Sequence, residues 1–537
     1  MPTVPIRDLG AVGLVTDIPA YDLPPNAWDV ADNVRFDDKS VSRAPIFRKA
    51  QDLTPQPVHM LPKTPDNGFD SVTILSADGS VDQYANGSVS NVLDAGVTKV
   101  AGKSPTTSAF LSQVEYLNKS NMGPLARTPS SSDFVALPNW DSSWKCRSLR
   151  SFGDHLIALG MQKGANEYLN MFKWSDLTLA GQVPGSWDHT DPTNSAGENI
   201  MSSIKTSLVD GGELGDVFIA YAYDQVWRVE QNGGFSIFDF DRQFGEDAGI
   251  MSDNCFTEFS GRHAVFGKSD IYVHDGISKD SLVEGRVRKK VFSELNKSLS
   301  ENCFVAHNEN LNEIYFCYAS SLDGTRFVAT DGCNRALVWN YVSNTFYFYD
   351  LPDVTAFTMI NLDTVLTWGS VGGISWQDMG GTWADQTDSY RRHPIFTGLQ
   401  GDLTTHRILA LDSSENGEVA FEYDTEASTQ PRLERTGIDL DEIGFDLEGR
   451  KSVQSIFPQM GLVFPRAGAS LGIRFGFNEY PAAAPTMAAS QAFVAYTDYK
   501  VDLRTHGRYL SVALDVDERS DFNLSGYDLK VRKVSRR

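Results

Sequence analysis

The sequence predicts an all-β protein: a β-propeller plus a β-sandwich-like platform domain, with one short helix near residues 287–299. Three observations support this. Short apolar strands alternate with Gly, Asp and Asn turns along most of the chain, the period-two pattern of strands in sheets. Thirty-one Phe, 19 Tyr and 44 Gly favour strands and tight turns over helices. An aromatic residue recurs on or near the end of successive strand pairs: Tyr84, Trp174, Trp227, Tyr272, Trp339 and Trp376. Repeated pairs of this kind suggest propeller blades, which leave only short sheet edges open. Their irregular spacing also admits a large β-sandwich array.

In chain order, the first hairpin spans 72–84 and turns at Asp78-Gly79. A second, with a longer turn, spans 155–174, and others span 217–229, 264–276 and 365–376. The helix lies between the hairpins at 264–276 and 365–376, with Val291 or Phe292, Leu295 and Leu299 on one face. Arg286, Arg288, Lys289 and Lys290 crowd its start, where positive charge opposes the helix dipole. Acidic partners, a solvated face or an interaction surface would each account for them. Aromatic strands then run through 305–349. From about residue 400 the strands lengthen (408–411, 419–423, 471–477, 509–516) and Pro/Ala linkers appear, which reads as a separate sandwich over 400–537. A small basic tail, Lys530, Arg532, Lys533, Arg536 and Arg537, closes the chain.

A length of 537 residues calls for two or three cores. The net charge of −23, from 47 basic and 70 acidic side chains, argues against a clamp on duplex DNA, because phosphates are neutralised by clustered Lys and Arg. The same charge suits a wall past which DNA slides. The five cysteines are odd in number and lack C-x-x-C spacing, so neither a disulfide framework nor a zinc ribbon is expected. Cys317, mid-strand among aromatics, reads as a buried small hydrophobe, and a reducing compartment is implied. No signal-peptide pattern opens the chain, and no apolar run approaches the roughly 20 residues that span a bilayer. A soluble protein with no membrane-spanning segment is expected.

Four near-motifs fail on their spacing. Gly96 to Gly102-Lys103-Ser104 has five residues between its glycines where a phosphate loop has four, and Pro105 follows. Gly468-Ala-Ser470-Leu-Gly472, with His506 downstream, matches a nucleophile elbow in letters, but alternating strand residues follow where a helix is required. Asp378 to Trp383 partly resembles an Asp-box turn, with Ser375 displaced by one. Asp439-Leu-Asp441-Glu-Ile443-Gly444 begins like a calcium loop but places Ile443 at the third ligand. No histidine spacing suits a metal. The expectation is therefore no catalytic, cofactor-binding or metal-binding set, and no enzyme.

Four places in order resemble one family, the tail nozzle proteins of short-tailed bacteriophages (tail tubular protein B, or packaged-DNA stabilisation proteins). They are 6–17 with 23–36 and Arg43-Ala-Pro45; the loop 173–198; 270–276 with the helix and aromatic block; and 504–510 with 524–529. The stretches 85–145 and 400–500 match poorly. The resemblance implies a segment 1–55 joining the platform, a propeller over 56–399 with loop insertions, and a platform over 400–537. It also implies a homohexamer below the head-to-tail adaptor, tail fibres or spikes docked outside, and genomic double-stranded DNA leaving through the channel without sequence-specific binding. The place would be the virion tail, assembled in the host cytoplasm. Carried over residue by residue, the adaptor or platform interface would include Trp28, Arg35, Phe36, Arg508, Tyr509 and Tyr527; plain core packing is the other reading of these residues. A phage-associated propeller glycan hydrolase and a host-binding adhesin are the alternative readings.

Overall fold

The computed structural model describes residues 3–63, 71–85, 87–232, 237–245, 248–322, 326–360, 392–399, 405–412, 422–441, 444–445, 449–460, 470–480, 483–516 and 521–534. Its regular elements are nearly all strands, so the chain is all-β. Five four-stranded antiparallel meanders follow one another. Their first and last strands are Pro57–Lys63 and Ser88–Asn91, Thr106–Leu111 and Val135–Ala136, Trp144–Phe152 and Gly197–Ile200, Leu208–Leu214 and Phe238–Gln243, and Phe256–Phe259 and Lys279–Ser281. A sixth meander runs from Phe304–Asn308 to Thr345–Val354. A seventh group, Ala356–Ile360, His393–Leu399 and His406–Asp412, is completed by Ile46–Leu53 from the N-terminal part, which also pairs with Glu422–Tyr423.

The hairpins expected at 72–84, 155–174, 217–229 and 264–276 are each the second and third strands of a meander. These strands were legible because they are covered by the neighbouring sheets and so carry the most continuous apolar runs. The hairpin at 365–376, with Trp376, lies outside the described residues.

The first four sheets and the seventh pack with separate small cores between neighbours, while the fourth, fifth and sixth share one large core with the terminal strands. Leu75 and Val81 of the first meet Leu117 and Leu125 of the second. Tyr116 of the second meets Leu149 and Leu156 of the third, and Phe172 of the third meets Phe218 and Val229 of the fourth. Ile74 and Tyr84 of the first meet Ile395 and Ile408 of the seventh. The first strands of the sheets also touch in order: Pro57–Lys63, Thr106–Leu111, Trp144–Phe152 and Leu208–Leu214 in succession, then Phe256–Phe259 with Phe304–Asn308, Ala356–Ile360, and back to Pro57–Lys63. Between the fourth and fifth, the Phe256 ring lies where a side chain on Gly212 would stand, 2.6 Å from that Cβ position. The seven first strands thus form a closed cycle of contacts.

The rest of the chain ties the two ends together. The sixth meander continues through Val30–Asp32, which runs parallel to Thr345–Val354, into Arg432–Ile438, Tyr509–Val516 and Ser470–Asn478. A second sheet joins Val34–Asp37 and Ser40–Arg43 to the long strand Asn523–Val534, which pairs on to Arg450–Met460 and then Val501–Gly507; Thr3–Arg7 also pairs with Asn523–Val534. The seventh sheet draws strands from all three segments expected from the sequence, 1–55, 56–399 and 400–537.

The helix is shorter than expected. It covers Arg288–Glu294, and a separate 3-10 turn covers Lys297–Asn302. Leu295 turns extended (φ −60°, ψ 123°) and bridges to Ser320, and the Asn296 side chain accepts from Ser298 N–H to start the next turn. The basic residues mostly find carbonyls and rings in place of acidic partners. Arg286 donates to the carbonyls of Asn344 and Val12 and lies over Phe346, while Lys290 lies over Phe348. Asp17 accepts from the backbone N–H of Lys289 at 3.2 Å, which offsets the unfavourable dipole.

A buried hydrogen-bond chain clips the fourth sheet to the fifth. Gly276 N–H donates to His274 Nδ1 at 3.1 Å, so the proton of His274 sits on Nε2 and donates to Tyr221 Oη at 2.6 Å. Tyr221 then donates to His263 Nδ1 at 2.7 Å, and His263 Nε2–H donates to the Glu213 carbonyl at 2.8 Å. Both imidazoles must be neutral, and burial holds His263 down to about 4 and His274 to about 3. Below pH 6.5 the unfolded chain binds protons that the folded state refuses. Stability should therefore fall as pH drops from 6.5 toward 4, by up to about 1.4 kcal/mol per pH unit per histidine. Chemical denaturation across that range measures it, and Tyr221→Phe should cost ~1–3 kcal/mol at pH 7.5 by stranding both rings.

Candidate functional site

The six residues expected at an interface are buried in the fold or make contacts within the chain. Trp28, Phe36, Tyr509 and Tyr527 are all buried. The Trp28 indole N–H donates to the Leu9 carbonyl at 3.0 Å, and Arg35 Nε donates to Glu313 Oε1 at 2.7 Å. The Arg508 guanidinium lies 5.6 Å from the centroid of the Tyr509 ring. The resemblance sets the four aromatics at an interface, with core packing as the other reading; within the chain all four are buried, Phe36, Tyr509 and Tyr527 on paired strands. What they do is hold the two chain ends together.

The near-motifs resolve into ordinary structure. Residue 104 leads into the strand Thr106–Leu111, so no helix end faces the supposed phosphate loop, and Lys103 pairs with Asp331. Ser470 and Gly472 lie on a strand paired on both sides, and His506 stacks on Phe477 at 5.8 Å. Gly468, the turn at 378–383 and residues 442–443 lie outside the described residues. The five cysteines are buried and unpaired, Cys317 among them as expected. Among the described residues no cluster of three or more His, Cys, Asp or Glu could hold a metal, and no helix is long and apolar enough to cross a membrane.

A dense polar site lies among the first strands of the cycle, and the sequence did not reveal it. Arg150 Nε and Nη2 donate to the two carboxylate oxygens of Asp210 at 2.9 and 2.6 Å. Arg150 also donates to the Ser108 carbonyl at 3.2 Å and to Asn254 Oδ1 at 2.9 Å. Asp210 further accepts from Ser148 Oγ at 2.6 Å and from the backbone N–H groups of Gly211 and Asn254. Asn254 Nδ2 donates to the Thr106 carbonyl at 2.8 Å, and Asp253 accepts from Thr106 N–H at 3.2 Å. Ser108 in turn bonds His59 at 2.9 Å. Four sheets and the connection into the fifth are thereby joined by one network. The only sequence signal was an Asp followed by two Gly inside an apolar strand, Leu208–Leu214, which reads more readily as a turn. Both glycines are required: Phe218 and Phe256 rings stand 2.5 and 2.6 Å from where their Cβ atoms would be.

The electrostatics follow from burial. Burial opposes ionisation of Asp210, but the Arg150 charge and its hydrogen bonds win and hold the carboxyl below its usual range. Asp253 has only the more distant Arg147, 3.8 Å away, and burial together with the Asp210 charge pushes it up to about 6. His59 is lowered to about 3 by burial and by Arg150. Cavities flank the network, one of about 300 Å³ beside His59, Arg150 and Glu258, the other of about 140 Å³ beside Lys103, Ser104, Asp253 and Glu301. A raised carboxyl beside a cavity is a pattern shared with acid–base catalysts. Here its oxygens are taken by Thr106, Asn254 and Ser252, and the neighbouring Ser104 hydroxyl is buried with no hydrogen-bond partner to activate it. The arrangement is built to join sheets.

No protein-family model and no curated protein matches this sequence.

Removing one partner of the central pair should be costly. Asp210→Asn or Arg150→Met should each destabilise by ~3–5 kcal/mol, with the double variant less damaging than the sum, as read from denaturant midpoints. Asp253 gives the opposite pH sign to the histidines. Its folded pKa lies above its unfolded one, so its contribution is lost as pH rises from about 4 to 6. Asp253→Asn should remove that opposing contribution, so that the histidine-driven fall in stability from pH 6 to 4 becomes steeper than in the parent chain.

Proposed function

We propose that this chain is a structural protein of a bacteriophage virion, the nozzle at the end of a short tail. The observation that carries the reading is the closed cycle of seven sheets joined to a sheet made from both chain ends. In this reading the seven sheets are blades of one propeller, closed by Ile46–Leu53 pairing into the last blade, and the terminal sheet with the strands beyond Thr345–Val354 is the platform. The order of motifs along the sequence supports the same family. The buried titratable groups of the central site are engaged in joining sheets, which favours scaffold over enzyme.

Arg150 and Asp210 lie among the first strands of the cycle, so duplex DNA has no path through a single subunit. A conduit then needs a ring of copies, a homohexamer with heterologous contacts seated below the head-to-tail adaptor, with fibres or spikes outside. The net charge of −23 suits the wall of such a channel, because weak attraction to phosphate lets DNA move.

Negative-stain electron microscopy of the purified chain mixed with its phage's adaptor complex tests this. Six-fold rings seated on the adaptor, with a channel wall net acidic, are expected. Particles that ignore an intact adaptor, or a channel lined mainly by Lys and Arg, would remove the proposal.

A further inference from the structure

Where the fifth meander passes to the sixth, the helix Arg288–Glu294 borders a groove of about 660 Å³. Met251, Phe292 and Leu295 form an apolar floor, and Lys268, Arg288, Lys289 and Lys297 stand around it. Among the described residues none of these four cations forms an ion pair. Arg288 Nε donates to the Ser269 carbonyl at 2.9 Å, and the Lys268 ammonium lies 3.9 Å from the centroid of the Tyr223 ring, with Asp224 the acidic residue that acts on it. Lys268, Lys289 and Lys297 are exposed. Other basic side chains do meet carboxylates: Arg43, Arg127, Arg335 and Arg407 each pair with at least one. Four cations without an ion pair thus border one groove, in a chain with 70 acidic and 47 basic residues.

We propose that this groove docks an acidic peptide segment of another protein, one that carries Leu- or Phe-type side chains between Asp and Glu residues. The floor would bury the apolar anchors, and the rim would meet the carboxylates, a division of labour common to peptide grooves. The helix start is already occupied by the Asp17 carboxylate, so recognition falls to the side chains of the rim. Duplex DNA is the poorer match. Its phosphates satisfy the cations but offer nothing apolar to cover the partly exposed Phe292 on the floor, forgoing that burial. The groove's chemistry holds whether or not the chain is a tail nozzle.

Fluorescence anisotropy with the full chain and a labelled 12-residue peptide alternating Asp or Glu with Leu or Phe tests the proposal. Saturable binding is expected, weakened at least about tenfold by Lys289→Glu with Lys297→Glu and unchanged by Lys99→Glu, all three on exposed side chains. Replacing the peptide's Leu and Phe with Ser should weaken it by a similar factor. Absence of saturable binding, or equal binding by the double variant, would overturn the proposal. So would tighter binding of a labelled 20-base-pair duplex with the same lysine dependence, which would assign the groove to nucleic acid. Self-association that disappears in the double variant on sedimentation would assign it to a second copy of this chain and equally overturn it.

Discussion

The Arg150–Asp210 ion pair is the contact on which the cycle of sheets depends. A first strand has a paired neighbour on one side only, so its other edge presents N–H and C=O groups with no ladder partner. In the first four sheets and the connection into the fifth, the network supplies partners: Arg150 takes the Ser108 carbonyl, Asn254 takes the Thr106 carbonyl, and Asp210 accepts from two backbone N–H groups. Burying two charges is expensive, and only this density of hydrogen bonds makes the pair tolerable. Gly211 and Gly212 belong to the same solution, since they let Phe218 and Phe256 close over the strand that carries Asp210.

The chain ends are fixed by the same kind of chemistry at a second place. Arg335 meets Asp32, Asp350 and Glu294, and Arg35 meets Glu313, whose other oxygen accepts from Tyr315 and Tyr347. Arg43 bonds Asp521 close to the C-terminal strand. These contacts tie the first 50 residues to the sixth sheet and to the last strand. They also explain why the aromatics around Trp28 and Tyr527 are core: a segment held at so many points is folded into the subunit's interior.

This pairing has a consequence for charge. Each buried arginine of these clusters is matched by acids, so the surplus of 23 negative charges is carried largely by the exterior. Such a surface keeps copies soluble and repels phosphate. Against it, the lysines beside the helix Arg288–Glu294 form a local exception, placed over an apolar floor rather than over carboxylates.

The sequence by itself determined the all-β class, the central hairpins of four meanders and the burial of Cys317. Each of these rests on local patterns: alternation of apolar residues, turn residues at fixed offsets, and aromatics on covered strands. It overextended the helix, because the break at Leu295 comes from bonds to Ala319 and Ser320, which are distant in sequence. It left Trp28, Phe36, Tyr509 and Tyr527 open between an interface and the core, because only the pairing of the first strands with the last shows that they are enclosed. Tertiary structure alone decided the central network and the groove. Thr106, Arg150, Asp210 and Asn254 span 149 positions of chain and share no motif. Their meeting is set by how the sheets stack, and no local pattern in the sequence encodes that.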